Sequence, residues 1–173
     1  TVSVWIFNTG TALGLTPEGS APLLASTFWG AYVVGRIATI VLALRVPPGR
    51  MLRLSLFGTA GSLVVLLVAL LNGATGASPL VWLSVGVCGL MMAAGFPSAF
   101  THLNSKVRMT GNVTGALFAA NNVGAMLLPW LVGQAFETRG PFVMPLLTVA
   151  ALAAAIAVLT LLDSALHANG NPV

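Results

Sequence analysis

Two adjacent asparagines, Asn121 and Asn122, sit near the middle of an apolar run that extends from residue 113 to residue 136. Each amide offers two donors and an acceptor, a set that suits a hydroxylated neutral solute. The same amides can instead bond a neighbouring helix, an interaction worth about 0.6 kcal/mol on average within membranes. Adjacent residues on a helix point in different directions, so the two cannot serve one face together. Arg36 is the second polar feature, a lone charge inside the apolar run 21–46. At a helix centre an arginine costs about 2.5–3.5 kcal/mol on insertion scales unless it reaches water or a partner. Arg45 follows it by about 13 Å of helix. Arg36 is therefore read as bonding helix ends at an inner mouth, with direct solute contact as the alternative. Trp29, beside Phe28, lies about 12 Å in from the outer end of the same helix. That is too deep for an interfacial belt, so it either lines a pore as a stacking residue or packs as a core aromatic.

The chemistry that is missing narrows the reading. Glu18, Glu137 and Asp163 are the only acids, and all stand in loops or at helix ends. No carboxylate lies at mid-membrane to take a proton or a sodium ion. The two histidines, His102 and His167, fall outside the expected spans, without an acidic or cysteine partner in the nearby sequence. No Gly-rich phosphate loop is present, and Cys88 is a single cysteine in mid-helix. These features exclude a disulfide framework and a metal cluster and leave no catalytic constellation, so neither an enzyme nor a cofactor is expected.

The elements that must position the polar residues are helices in a bilayer. Of 173 residues, 57% are hydrophobic and 6% are charged, against roughly 25% charged in an average soluble domain. The mean hydropathy of +0.98 is spread over several segments, each near the 20 residues that cross about 30 Å of hydrocarbon. Complete spans are expected at about 21–46, 51–72, 79–100, 113–136 and 142–162. Residues 2–15 read as the end of a helix whose beginning is absent. Ser78 and Pro79 can cap and open the third of these spans. Thr1 follows no charged, cleavable leader, and the chain is expected to be a piece of a longer protein whose missing part precedes it.

Charge orients the spans. The loop that follows the first complete span carries Arg45, Arg50 and Arg53, and the segment 101–112 carries Lys106 and Arg108. The alternate loops hold Arg139 as their single base. Five bases against one place residues 16–20 outside and the C-terminal tail in the cytoplasm, with Trp82 and Trp130 near outer helix ends. The formal charge of +4 is thus a matter of topology, and no nucleic-acid partner is expected. Asn112-Val113-Thr114 has the form of a glycosylation acceptor, but this topology keeps it inside and unmodified. Small residues recur at helical spacing, as in Gly111, Gly115 and Ala119 or Gly86, Gly89 and Ala93. Such faces let helices approach closely, so the span 113–136 is expected to face protein and the last span to lie at the periphery.

Gly35-Arg36 on the first complete span, then Arg45 and Pro48-Gly49-Arg50 in the following loop, resemble the degenerate second copy of the loop motif of the major facilitator superfamily. Leu44 stands where that motif carries its aspartate. Phe28-Trp29-Gly30, Phe96-Pro97-Ser98, Val123-Gly124 and Leu131-Val132-Gly133 are similar to the sodium-dependent glucose transporter branch of the superfamily. The resemblance covers most of the chain. It implies an all-α half-bundle: the C-terminal six-helix half, with five complete transmembrane helices plus a truncated one. It also implies a secondary transporter in the plasma membrane that works by alternating access with a missing N-terminal half. The partners it implies are the lipid bilayer and a small neutral polar solute, a sugar, held against Asn121, Asn122, Trp29 and Phe28. Gly35, Arg36, Arg45 and Arg50 would then shape the inner gate. A non-transporting scaffold or an inactive transporter fragment is the second reading.

Overall fold

Prolines and glycines divide the chain where a helical hydrogen-bond ladder cannot continue. The structure is a computed structural model that describes residues 1–16, 18–106 and 110–168, with the side chains of 162, 163 and 165–168 outside the description. Arg108 and the side chains of Asp163 and His167 thus lie outside the described residues. Among the described residues there is no β-strand. The helices are α1 (Val2–Ala12), α2 (Ser20–Ala43), α3 (Pro48–Leu71), α4 (Pro79–Met92), α5 (Gly95–Lys106), α6 (Gly111–Arg139) and α7 (Val143–Ala168). Five segments are long and apolar enough to cross a bilayer: Ser20–Ala43, Pro48–Leu71, Pro79–Lys106, Gly111–Arg139 and Val143–Leu161.

The helix starts follow proline chemistry. Pro48 and Pro79 stand in the opening turns of α3 and α4, where a missing N–H leaves no ladder bond unmade. α3 therefore begins three residues before the expected position, and Arg50 lies in its first turn instead of in the loop. A cation at a helix N-terminus opposes the macrodipole, so the charge of Arg50 does not stabilise the helix it opens. Ser78 is the N-cap residue of α4, as its position implied, but its side chain makes no capping hydrogen bond. At the far ends, Gly73 and Gly140 adopt φ of 77° and 83°, which only glycine reaches without strain.

The third span differs most from expectation. It reaches Lys106 instead of residue 100 and is interrupted at Ala93 and Ala94. Pro97 accounts for the break, because its nitrogen cannot donate to the carbonyl four residues back and its ring crowds that carbonyl. The Ser55 hydroxyl of α3 donates to the Met91 carbonyl at 2.7 Å, so the interrupted turn is bonded from outside. His102 and Lys106, expected in a loop, stand on α5. A Cβ on Gly49 would come within 3.0 Å of the His102 ring, so the first turn of α3 meets α5 at one end of the bundle. At the other end the Gly76 N–H donates to the Leu13 carbonyl at 2.9 Å. The Trp82 indole donates to the Gly76 carbonyl at 2.8 Å. The α1–α2 and α3–α4 connections therefore share that end.

α2 and α3 pack on α4, and the contact with α2 is close because it lacks side chains. A Cβ on Gly35 would lie 2.5 Å from the Leu90 carbonyl oxygen and 2.8 Å from the Ala93 Cβ. Gly89 is pressed against the Phe28 carbonyl in the same way. α7 packs on α3 with Met144, Pro145 and Thr148 buried, so its first half is interior and not peripheral as expected.

α6 is the least enclosed of the long helices. Within this chain only Val132 of its 29 residues is buried, and a Cβ on Gly111, Gly115 or Gly124 would meet nothing within 4 Å. The small-residue face is thus not covered by the described residues. What holds α6 is largely aromatic. Trp5 stacks on Phe136 with ring centroids 5.1 Å apart and donates its indole N–H to the Pro129 carbonyl at 2.9 Å. Phe118 meets Phe96 and Phe100 of α5 at 5.6 and 6.3 Å.

Candidate solute cavity

The stretch Leu52, Ser55, Leu56, Thr59 repeats at the i, i+3, i+4, i+7 spacing that gives α3 one face. Tyr32 and Arg36 repeat at i, i+4 on α2, and the Arg36 guanidinium donates to the Tyr32 hydroxyl at 2.7 Å. Its central carbon lies 5.2 Å from the centroid of the Tyr32 ring, within cation–π range. These two faces meet around an open cavity of about 590 Å³, a volume usual for small-molecule sites. Met92, Gly95, Phe96 and Ala99 form its wall on either side of the α4–α5 break, and Asn121, Thr148 and Leu152 close it from α6 and α7.

The polar groups in that wall differ in what they have left to give. Ser55 and Thr148 direct their hydroxyl hydrogens to the Met91 and Met144 carbonyls, each at 2.7 Å, so toward a solute they are acceptors. Tyr32 accepts from Arg36 and keeps its own O–H to donate. Arg36 has five N–H donors and its guanidinium bonds only Tyr32 among the described residues. Asn121 is exposed toward the opening with both amide functions available. The wall is therefore rich in donors, carries one cation and includes two aromatic surfaces.

Of the residues singled out in the sequence, Asn121 and Arg36 are brought to this one cavity, and the others are not. Asn122 is exposed on α6 but is not part of the lining. Phe28 is buried at 1% exposure in the α2–α4 contact, its ring stacked toward Tyr32 at 6.3 Å. Trp29 is half exposed, edge-on to both Phe28 and Tyr32. Gly35 belongs to the α2–α4 contact, while Arg45 follows α2 and Arg50 opens α3, both exposed. Sequence reasoning missed Tyr32, Ser55, Thr59, Phe96 and Thr148. The hydroxyl series Ser55, Thr59 and Ser62 at helical spacing was the signal for α3, and Pro97 was the signal for the break that exposes Phe96.

Comparison with known proteins decides the family. The chain is 31% identical over 124 residues to major facilitator superfamily domain-containing protein 4A of Homo sapiens, which covers 70% of this chain and 23% of that protein. It is 31% identical over 129 residues to sodium-dependent glucose transporter 1 of Danio rerio, covering 75% and 21%. The chain belongs to the major facilitator superfamily. Sodium-dependent glucose transporter 1A of Mus musculus, 30% identical over 134 residues, covers 77% of the chain and 30% of itself. No family model matches the chain, and no solved structure matches it. With its five apolar spans, this superfamily member is an integral membrane protein related to that transporter branch. The chain spans about a fifth to a third of the length of the curated relatives it matches.

Proposed function

We propose that this chain is the C-terminal six-helix half of a secondary transporter for a small hydroxylated solute of the sugar class. It works by alternating access with an N-terminal half outside this chain, in the plasma membrane with its C-terminus cytoplasmic. The observation that carries the reading is the convergence of Tyr32, Arg36, Ser55, Thr59, Asn121 and Thr148 on one cavity between spanning helices. Polar groups at such depth are expensive in lipid and mark solute pathways. The open side of the cavity and the uncovered small-residue face of α6 fit a second bundle closing against this one. The relatives named as sodium-dependent glucose transporters favour a sugar. Phe28 supports Tyr32 from the core, Trp29 offers a stacking surface above it, and Arg45 and Arg50 shape the inner mouth. Asn122 is left to bond a helix of the other half.

The test is uptake into liposomes by the full-length protein that contains this segment, with labelled hexoses and polyols and with sodium and pH varied. Saturable uptake competed by unlabelled solute is expected. Absence of saturable flux for every hydroxylated solute tried would overturn the reading and leave a scaffold.

A further inference from the structure

Arg36 decides more than the site's location. Asparagine amides alone would serve a neutral sugar, but the cavity that Asn121 lines is also lined by the guanidinium of Arg36. Among the described residues the lining holds no carboxylate, and the guanidinium bonds nothing there but the Tyr32 hydroxyl, at 2.7 Å. That bond fixes the planar fork by its edge and leaves most of its donors toward the cavity. A fork with parallel N–H groups matches a carboxylate bidentately, and the free Tyr32 O–H adds a third donor of the same sense. Ser55 and Thr148, whose hydrogens go to backbone carbonyls, present lone pairs and call for solute hydroxyls instead. The wall therefore reads as an anion end next to a hydroxyl end.

We propose that the solute of this cavity is a hydroxylated acid, its carboxylate seated on Arg36 and Tyr32 and its hydroxyls on Asn121 and Ser55. The inference rests on the proposed transport reading and narrows it from sugars to sugar acids. An acid from the solute and an acid from the unseen half of the protein would satisfy Arg36 equally well in charge, and the experiment separates the two sources.

The test uses the full-length protein in liposomes, with glucose and glucuronate as a neutral and an acidic probe of one skeleton, and compares wild type with Arg36→Gln and Arg36→Lys. For wild type, glucuronate is expected to compete at least tenfold better than glucose. Arg36→Gln is expected to remove that preference by raising the apparent KM for glucuronate at least tenfold while glucose changes less than threefold. Arg36→Lys keeps the charge but not the fork and should fall between. A wild type without preference for the acid overturns the proposal while leaving the transport reading standing. Equal loss of both probes in Arg36→Gln also overturns it, since Arg36 then serves the protein and not the carboxylate of the solute. Flux of neither probe in the wild type sinks the transport reading as well.

Discussion

Gly35→Ala in the full-length protein should destabilise the bundle by about 3 kcal/mol, at the upper end of what overpacking a tight contact costs. The added methyl would sit 2.5 Å from the Leu90 carbonyl oxygen and 2.8 Å from the Ala93 Cβ. Neither neighbour can swing away, since one is backbone and the other is itself only a methyl. In a bilayer, helices associate by close packing without a hydrophobic drive, so separating α2 from α4 loses the contact that holds them. α4 also carries the break at Ala93 and Ala94, so a displaced α4 disturbs the Met92 and Phe96 wall of the cavity. Gly61→Ala is the control, because a Cβ there meets nothing within 4 Å and alanine is the better helix former. Folded yield in detergent and thermal stability by tryptophan fluorescence read the difference. Equal stability of the two variants would show that the α2–α4 contact is looser than described.

Asn121→Ala should raise the KM for transported solute about tenfold with surface expression unchanged, while Asn122→Ala stays within about twofold, since loss of a partner to a buried polar group costs about 1–3 kcal/mol. The contrast follows from direction, not from composition. Both amides are exposed on α6, yet only Asn121 lines the cavity with Tyr32 and Arg36. Side chains one residue apart on a helix diverge, so one of the pair can reach the solute and the other cannot. Uptake kinetics of the two variants side by side give the answer. A larger defect in Asn122→Ala than in Asn121→Ala would move the site to the other face of α6.

How much of this was readable beforehand depends on which force fixed each feature. Helix count and alternation came from long apolar runs and from Pro48, Pro79, Gly73 and Gly140, whose effects are local and need no partner. The break in the third span has an equally local cause in Pro97. It went unread because hydropathy alone shows one continuous apolar run over residues 79–100. Burial of the α7 start could not be read, since Ala, Leu and Val look the same against lipid as against protein. For the site, Asn121 and Arg36 were conspicuous as polar residues at apolar depth. Tyr32, Ser55 and Thr148 were not, because a hydroxyl in an apolar span reads first as one that bonds its own preceding turn, as Thr148 does and Ser55 does not. The small-residue pattern read as close packing holds for Gly35 and Gly89 and not, within this chain, for Gly111, Gly115 and Gly124. The pattern announces that a face can be approached, and it does not say by what.

The account stands most directly on solute occupying the cavity lined by residues of α2 to α7. Met92 lines that cavity and is 37% exposed. Cys88 is the one cysteine of this chain and is buried in mid-helix. In full-length protein with Cys88 and every cysteine outside this chain replaced by Ala, Met92→Cys should react with a small water-soluble methanethiosulfonate, and saturating solute should slow that reaction at least fivefold, on the order of 1 kcal/mol of occupancy. Thr75→Cys, in the exposed α3–α4 connection, should react at one rate with or without solute. If saturating solute leaves the Met92→Cys rate unchanged while uptake persists, the solute passes elsewhere and the cavity is not its site.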